Sequence, residues 1–506
     1  MDMSQVTAAD VVAAAEEARR FDPEVPVPAP QASTSVAEQV RRSPHRAPDR
    51  TPLAGPVLLP VNVGLDGAAL VGWDPSTAAV RSITQVPGSR FVYGDDNEAF
   101  GAWNALLGAE PARGQLTRVP GHGGEIIPGR LADHVEALRR RVRTGQPAPV
   151  QLDIDPTMTC PSKCLFCFSA PYRDSRKTDR RLDTALLLSV VERWIALGVK
   201  VVRFDGGGDP LAHPGCVDAI RHAARLGART AVLTAGDLLD TADFPTFVEA
   251  RTYVRVSVNA GTDAVRQTVH RTQARTLPLR GLLARMRQLA RLRQITYGSA
   301  ARRAMPLGAT FMIHPANVRD IVAAARVVRD VGFDHISFRV VLGEPHAVRF
   351  SSEERACAQR QLAEVAALAD DEYRVFVPTR DLTDSGYVPS RYFDSCVAAS
   401  HRVLVEVGST REEAAIVPCG RYRGHGFRAS EVPSDHVLGT IRATSESQPD
   451  ESRAEWLEWL RPVAVRYPRE CGDCIDRSAN ILLNGMLAAI RRDAGVRFYR
   501  IRVLDE

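Results

Sequence analysis

Between residues 150 and 342 the chain repeats one pattern six times: a short β-prone run, then an amphipathic stretch long enough for a helix. The β-prone runs are 150–154, 200–204, 229–233, 253–258, 308–313 and 335–340. Among the helical stretches, 184–197 sets Leu186, Val190, Trp194 and Leu197 on one face, and 318–331 has the same period. Strands that alternate with helices cannot be joined by tight hairpins. They require right-handed β-α-β crossovers and a parallel sheet, open or closed as a barrel. Parallel barrels carry their chemistry at the C-terminal ends of the strands, so the residues just after each run are the ones to search.

The first run leads into Cys160-Pro-Ser-Lys-Cys164-Leu-Phe-Cys167. Three cysteines at this spacing can aim three thiolates at one point, as an iron–sulfur cluster requires. A four-iron cluster held this way keeps one iron open to a non-protein ligand. A zinc site completed from elsewhere, or thiols buried as small apolar groups, are the alternatives. The second run is followed by Gly206-Gly207-Gly208-Asp209-Pro210. Consecutive glycines let backbone approach a ligand closely, although such a run can equally be a plain turn. At the end of the fourth run, Ser257 and Asn259 fall on one face if strand periodicity continues, and a surface turn before Gly261 is the alternative. Arg339 lies at the tip of the sixth run, and His314, before a proline, reads as structural.

A second group of cysteines, Cys396, Cys419, Cys471 and Cys474, lies beyond the alternating region. Stretches 401–407 and 414–417 flank Gly-Ser-Thr-Arg-Glu-Glu and read as a hairpin. The Cys471-Gly-Asp-Cys474 pair precedes a helical run at 479–491. Four thiolates can close every ligand position of a [4Fe–4S] cluster or make a zinc site, and on geometry alone zinc is the commoner outcome. Cys216 and Cys357 are left over, the latter inside a helical run at 353–368.

Taken together, the cysteine triplet and the glycine run one strand later resemble the signature of the radical SAM superfamily. Phe166 stands where that family commonly has an aromatic residue before the third cysteine. The Gly206–Pro210 run resembles its Gly-Gly-Glu-Pro motif, with Asp209 replacing Glu. The resemblance implies a partial (β/α)6 barrel. It implies a [4Fe–4S] cluster on Cys160, Cys164 and Cys167, and S-adenosylmethionine on the open iron. Gly206, Gly207, Gly208, Asp209 and Pro210 would hold the methionine amino group, and Ser257 and Asn259 would reach the ribose or carboxylate. Arg339 is a further cofactor-binding candidate. The C-terminal cysteines resemble the twitch form of the SPASM auxiliary module, with Ala414 where that family often has glycine. A second [4Fe–4S] cluster on Cys396, Cys419, Cys471 and Cys474 is therefore expected.

Such an enzyme takes electrons from a low-potential donor such as flavodoxin or ferredoxin and removes hydrogen from an unactivated carbon. The expected function is oxidoreductase or isomerase chemistry, dehydrogenation or epimerisation, on a small molecule such as a sugar, aminocyclitol or nucleoside. Cys216 is a candidate hydrogen donor for the epimerase variant. Maturation of a ribosomally made peptide is the alternative, with residues 57–145 as a leader binder. A zinc-stabilised binding or scaffold protein on a degenerate barrel is the alternative from another class.

The remaining sequence bounds these readings. At 506 residues, 44% hydrophobic and 25% charged, the chain has the composition of a multidomain soluble globular protein. Nine clustered cysteines suggest metal ligation in a reducing compartment rather than a disulfide scaffold, and no secretory or membrane-spanning pattern is visible. A cytoplasmic location is expected. The net charge of +5 conceals nine arginines and no acids between residues 269 and 303, which argues against a general nucleic-acid partner. The arginine-rich helix at 279–294 reads as a solvated face with Leu279, Leu282, Leu283, Met286 and Leu289 turned inward. The expected organisation is a Pro/Ala-rich disordered tail at 1–56, with eight prolines from Pro23 to Pro56, and a small α/β module at 57–145. The barrel follows at 146–345, a connecting helix and linker at 346–390, an auxiliary cluster domain at 391–490 and a tail at 491–506.

Overall fold

Three β-prone runs separated by Gly, Asp and Pro form β1 (Val57–Asn62), β2 (Ala68–Asp74) and β3 (Ala79–Gln85), antiparallel neighbours in that order. The register shifts once, between Gly72 and Trp73. With helix α1 (Leu131–Thr144) they belong to the first of two units, made of Met1–Ala148, Val388–His401 and Leu460–Glu506. The computed structural model describes residues 57–62, 68–74, 79–85, 131–167, 169–170, 180–271, 276–340, 349–370, 372–377, 396–424, 436–443, 451–461, 483 and 487. The sequence also has a β-prone run at 90–93 and helical patterns at 8–20 and 97–107; these, with Cys471 and Cys474, lie outside the described residues. Of the helix expected at 479–491, Leu483 and Leu487 are described and helical.

The second unit is Pro149–Tyr387 with Arg402–Trp459, and it contains the alternating region. Its strands are β4 (Gln151–Asp155), β5 (Val201–Phe204), β6 (Arg229–Thr234), β7 (Tyr253–Ser257), β8 (Leu307–Ile313) and β9 (His335–Val340). All six are parallel and sit side by side in sequence order. Between them run α2 (Thr184–Ala196), α3 (Cys216–Arg225), α4 (Phe244–Glu249), α5 (Asp263–His270), α6 (Leu279–Tyr297) and α7 (Ile321–Asp330). This is the partial (β/α)6 barrel that the alternation demands.

The sheet continues at both edges. After α8 (Ser352–Ala366), β10 (Arg374–Phe376) adds in parallel beside β9. On the other side β11 (Arg402–Val407) pairs in parallel with β4, and then β12 (Glu413–Val417) and β13 (Gly439–Arg442) follow antiparallel. The hairpin expected around the second cysteine group is thus an extension of the barrel sheet. Helix α9 (Glu451–Leu460) follows, with Trp456 tilted against Trp194 at 5.3 Å between ring centroids.

Strand register explains the two faces. Leu152, Ile154, Val202, Phe204, Val254, Val256, Phe311 and Phe338 are essentially inaccessible on the helix-covered face, each contributing about 1.5–3 kcal/mol of burial. Sheet-facing stripes on the helices meet them, such as Cys216, Ala219, Ile220 and Ala223 on α3. The opposite, inner face is polar although equally buried: Asp153 and Asp155 on β4, Arg203 on β5, Arg255 on β7, Arg339 on β9 and Glu406 on β11. Burying that much charge has a structural cost unless the groups pair, so this face is where function is to be sought. Among the described residues no helix is long and apolar enough to cross a membrane.

The arginine-rich helix α6 differs from the expected solvated face at one point. Arg293 is buried, donating to Asp334 at 2.5 Å and to the carbonyls of Met305 and Gly332. It ties the helix to the segments entering β8 and β9.

Candidate active site

The cysteine loop leaves β4 and is held by the C-terminal end of α5. A helix leaves its last carbonyls unsatisfied. Here those of Val269 and His270 accept from the backbone N–H of Leu165 and Lys163, each at 2.9 Å. Side chains reinforce the seam. His270 Nδ1 lies 3.4 Å from Cys164 Sγ, and Ser162 donates to Asp237 at 2.8 Å. Asp237 also accepts from Arg266 at 2.7 Å, and Arg266 reaches His270 Nε2 at 3.4 Å. Burial, helped by the neighbouring Arg266 charge, pushes the His270 pKa down to about 3, so the ring is neutral.

The glycine run packs backbone against backbone on the same loop. Gly208 N–H donates to the Thr157 carbonyl at 3.0 Å and Asp209 N–H to that of Thr159 at 2.9 Å. A Cβ on Gly208 would stand 2.2 Å from the Thr159 carbonyl oxygen, so only glycine allows this approach. The Asp209 carboxylate turns inward. It accepts from Thr234 Oγ1 at 2.8 Å, Ala235 N–H at 2.9 Å and Leu211 N–H at 3.0 Å, and burial raises its pKa to about 6. The side chain therefore fixes the turn, and the backbone of Gly206–Gly208 is what remains for a ligand.

The ends of β4 and β5, from which both loops spring, are joined by Arg423. Its Nε donates to Asp155 at 2.6 Å and its Nη2 to Asp205 at 3.1 Å. The adjacent Gly424 N–H donates to Glu406 at 2.6 Å. Burial pushes Asp155 up to about 6 against the pull of Arg423. Burial opposes ionisation of Asp205 too, but Arg423 and Arg203 outweigh it and its pKa is lowered. One guanidinium thus serves two carboxylates, and Asp205 holds the charge more firmly.

Residues 154–290 match the family model described as "Radical SAM superfamily". The chain carries a radical SAM domain. Two curated relatives are named "PqqA peptide cyclase". The one from Gluconobacter oxydans is 30% identical over 185 residues, 36% of this chain and 47% of that protein. This chain therefore spans about half of that relative's length. The one from Methylorubrum populi is 23% identical over 349 residues, 65% of this chain and 80% of that protein. Among solved structures, Streptococcus suis SuiB bound to S-adenosylmethionine is 10% identical, with TM-score 0.45, covering 80% of this chain and 88% of that chain.

The donors of the radical SAM domain have the character its cluster needs. Cys160, Cys164 and Cys167 are half-buried on one loop, whereas Cys216 and Cys357 are buried. Three sulfurs within eight residues fit the three-thiolate mode of holding a four-iron cluster. Among the described residues no three Cys, His, Asp or Glu side chains are already gathered for a metal ion. For S-adenosylmethionine the fit is the glycine backbone, together with Thr310 beside Ser257. The Thr310 hydroxyl is buried and has no hydrogen-bond partner among the described residues.

The other expected site residues divide. Phe166 is half-buried and faces His314, with ring centroids 6.1 Å apart. Ser257 is half-buried on the inner face, and Arg339 is buried there, its Nε donating to Ser337 at 3.2 Å. Asn259 departs from expectation. The strand ends at Ser257 and Asn259 has a left-handed φ of 55°, which breaks the two-residue period. Its amide is spent on the protein, accepting from Met312 N–H at 2.7 Å and meeting His270 Nε2 at 3.3 Å. Cys216 also departs from the hydrogen-donor expectation. Its side chain lies in the layer between α3 and the helix-covered face of the sheet, and burial raises its pKa well above the ordinary value. Cys357 lies on α8, 3.9 Å from the Val318 carbonyl. Cys396 and Cys419 are half-buried, the second two residues past the end of β12.

Sequence reasoning missed His270, Arg266, Asp237 and Arg423. For the first three the signal lay in topology, since each is carried on a segment that follows a parallel strand, where the barrel gathers its loops, whereas Arg423 follows the antiparallel strand β12.

Proposed function

We propose that the protein is a radical SAM enzyme that modifies a ribosomally made peptide by joining or oxidising its side chains. The observation that supports this is the similarity to proteins named PqqA peptide cyclases, one of which aligns over 65% of this chain and 80% of its own length. That similarity favours a peptide over the sugar, aminocyclitol or nucleoside that the motifs alone suggested, and it leaves dehydrogenation or epimerisation of a small metabolite as the weaker reading.

In this reading Cys160, Cys164 and Cys167 would hold a [4Fe–4S] cluster which, with S-adenosylmethionine, would supply the radical chemistry that removes hydrogen from a substrate carbon. The chain's own residues orient and shield. The Gly206–Gly208 backbone offers polar groups without side chains in the way. Ser257 and Thr310 present hydroxyls from adjacent strands at the same register position. Arg339 adds a fixed positive charge on the inner face. Arg423 keeps the two loop-bearing strand ends at one spacing. A second cluster on Cys396, Cys419, Cys471 and Cys474 would have no open position, which suits it to electron transfer.

The test is anaerobic incubation with S-adenosylmethionine, a reductant and each short peptide encoded beside the gene. A peptide lighter by two hydrogen atoms, formed together with 5′-deoxyadenosine, is the expected product. Turnover of a sugar, aminocyclitol or nucleoside with every neighbouring peptide unchanged would restore the small-metabolite reading.

A further inference from the structure

The contact between His270 and Cys164 has a direction that the surrounding groups determine. The His270 ring is fully buried, so water does not compete for either nitrogen. Nε2 meets two donors, Asn259 Nδ2 at 3.3 Å and Arg266 Nη1 at 3.4 Å. The orientation of the Asn259 amide is fixed, because its oxygen accepts from Met312 N–H at 2.7 Å and only the nitrogen is left for the ring. Arg266 can only donate, and its guanidinium is held by Asp237 at 2.7 Å. The Val258 carbonyl, 3.3 Å from Nε2, is the single acceptor facing it among the described residues, and it also receives Arg266 at 3.4 Å. Two donors converge on Nε2 against one acceptor, so the geometry places the ring's lone pair on Nε2 and its hydrogen on Nδ1, 3.4 Å from the Cys164 sulfur.

We propose that His270 is a positioning residue that donates its Nδ1–H to the Cys164 sulfur and raises the reduction potential of the cluster bound there. The inference rests on Cys164 being a cluster ligand. Reduction adds one electron from the external donor and makes the cluster and its thiolates more negative. A donor aimed at one sulfur stabilises that reduced state more than the oxidised one, and such hydrogen bonds are among the determinants of cluster potential. The chain Ser162–Asp237–Arg266–His270–Cys164 gives the donor a fixed support, because it begins and ends within the cysteine loop.

The experiment is an anaerobic redox titration of the reconstituted full chain, following the EPR signal that changes when S-adenosylmethionine is added. In His270→Ala the ratio of reduced to oxidised cluster at a fixed potential should fall about tenfold, which for one electron corresponds to about 59 mV. His270→Asn places an amide N–H near the Nδ1 position and should recover most of that ratio. Wild-type protein with 15N-labelled histidine should show nitrogen coupling to the same reduced cluster, a readout that needs no variant to fold. An unchanged ratio in a cluster-loaded His270→Ala, or no histidine coupling in wild type, overturns the proposal and leaves the ligand assignment standing. A signal that persists unaltered in Cys164→Ala overturns both.

Discussion

Two neighbouring glycines illustrate how much one methyl group decides. A Cβ on Gly207 would meet the Met158 sulfur at 2.2 Å, the far end of a flexible side chain, whereas on Gly208 it would meet the Thr159 carbonyl oxygen at the same 2.2 Å. Side chains move more cheaply than the backbone that carries the cysteine loop. Gly207→Ala is therefore expected to weaken S-adenosylmethionine binding less than about tenfold, while Gly208→Ala abolishes it and lowers iron retention. Equilibrium binding and iron analysis of the two reconstituted variants check this, and equal losses would show that the approach is not what matters. Beside them, Asp209 has a folded pKa raised by burial to about 6, against about 3.9 for an unfolded chain. Its contribution to stability is fully present below the unfolded value and is lost as pH rises through the folded one, by on the order of 3 kcal/mol at most. Asp209→Asn cannot titrate, so the wild type should lose stability relative to it between about pH 4 and 6, as followed by urea denaturation of the metal-free chain. Parallel pH profiles would show that Asp209 is ionised throughout.

Elements meet the site at their ends, and Arg423 shows what that requires. Asp155 closes β4, Asp205 follows β5, and the guanidinium between them is only 11% exposed. Removing one partner from a buried ion group leaves charge uncompensated, so Arg423→Ala should cost about 3–5 kcal/mol at neutral pH. Arg423→Lys should recover only part, since an ammonium cannot present the two-pronged geometry. Adding Asp155→Asn and Asp205→Asn to Arg423→Met should restore most of the loss, and urea unfolding of the set measures all three. A loss below about 1 kcal/mol for Arg423→Ala would mean that the clamp does not hold the strand ends. At this scale the barrel was legible in the sequence. Every strand from β4 to β9 begins and ends within a residue of its β-prone run, because alternate residues of each run are apolar and buried on the helix-covered face. The cysteine and glycine loops were legible too, because their chemistry is local. Asn259 was misread because strand periodicity was carried two residues past the strand, into a left-handed turn that only backbone geometry reveals. Arg423 and Arg266 were missed because an arginine that pairs with a distant carboxylate looks, in sequence, like any surface arginine. Cys216 was placed correctly on a helix after β5, but spacing cannot tell the sheet-facing side of a helix from the side that faces the chemistry.

For the whole molecule the proposed function raises the question of how seven cysteines would share the work. Joining two side chains removes two hydrogens from the peptide. One leaves as a hydrogen atom to the radical derived from S-adenosylmethionine, and the other must leave as a proton and an electron. An electron acceptor is therefore needed near the substrate, and a cluster closed by four thiolates can serve as one without binding substrate itself. The proposed division predicts about eight irons in the anaerobically reconstituted wild type and about four in Cys471→Ala. It also predicts two distinct failures. Replacing Cys160, Cys164 and Cys167 with Ala should abolish 5′-deoxyadenosine formation under dithionite. The Cys396→Ala/Cys419→Ala double variant should still cleave S-adenosylmethionine but without the peptide losing two hydrogens. Iron analysis and paired quantification of 5′-deoxyadenosine and peptide mass distinguish these outcomes. An iron content that does not change in Cys471→Ala removes the auxiliary cluster. If both sets of cysteine variants fail in the same way, the two groups do not divide the reaction between cleavage and electron removal.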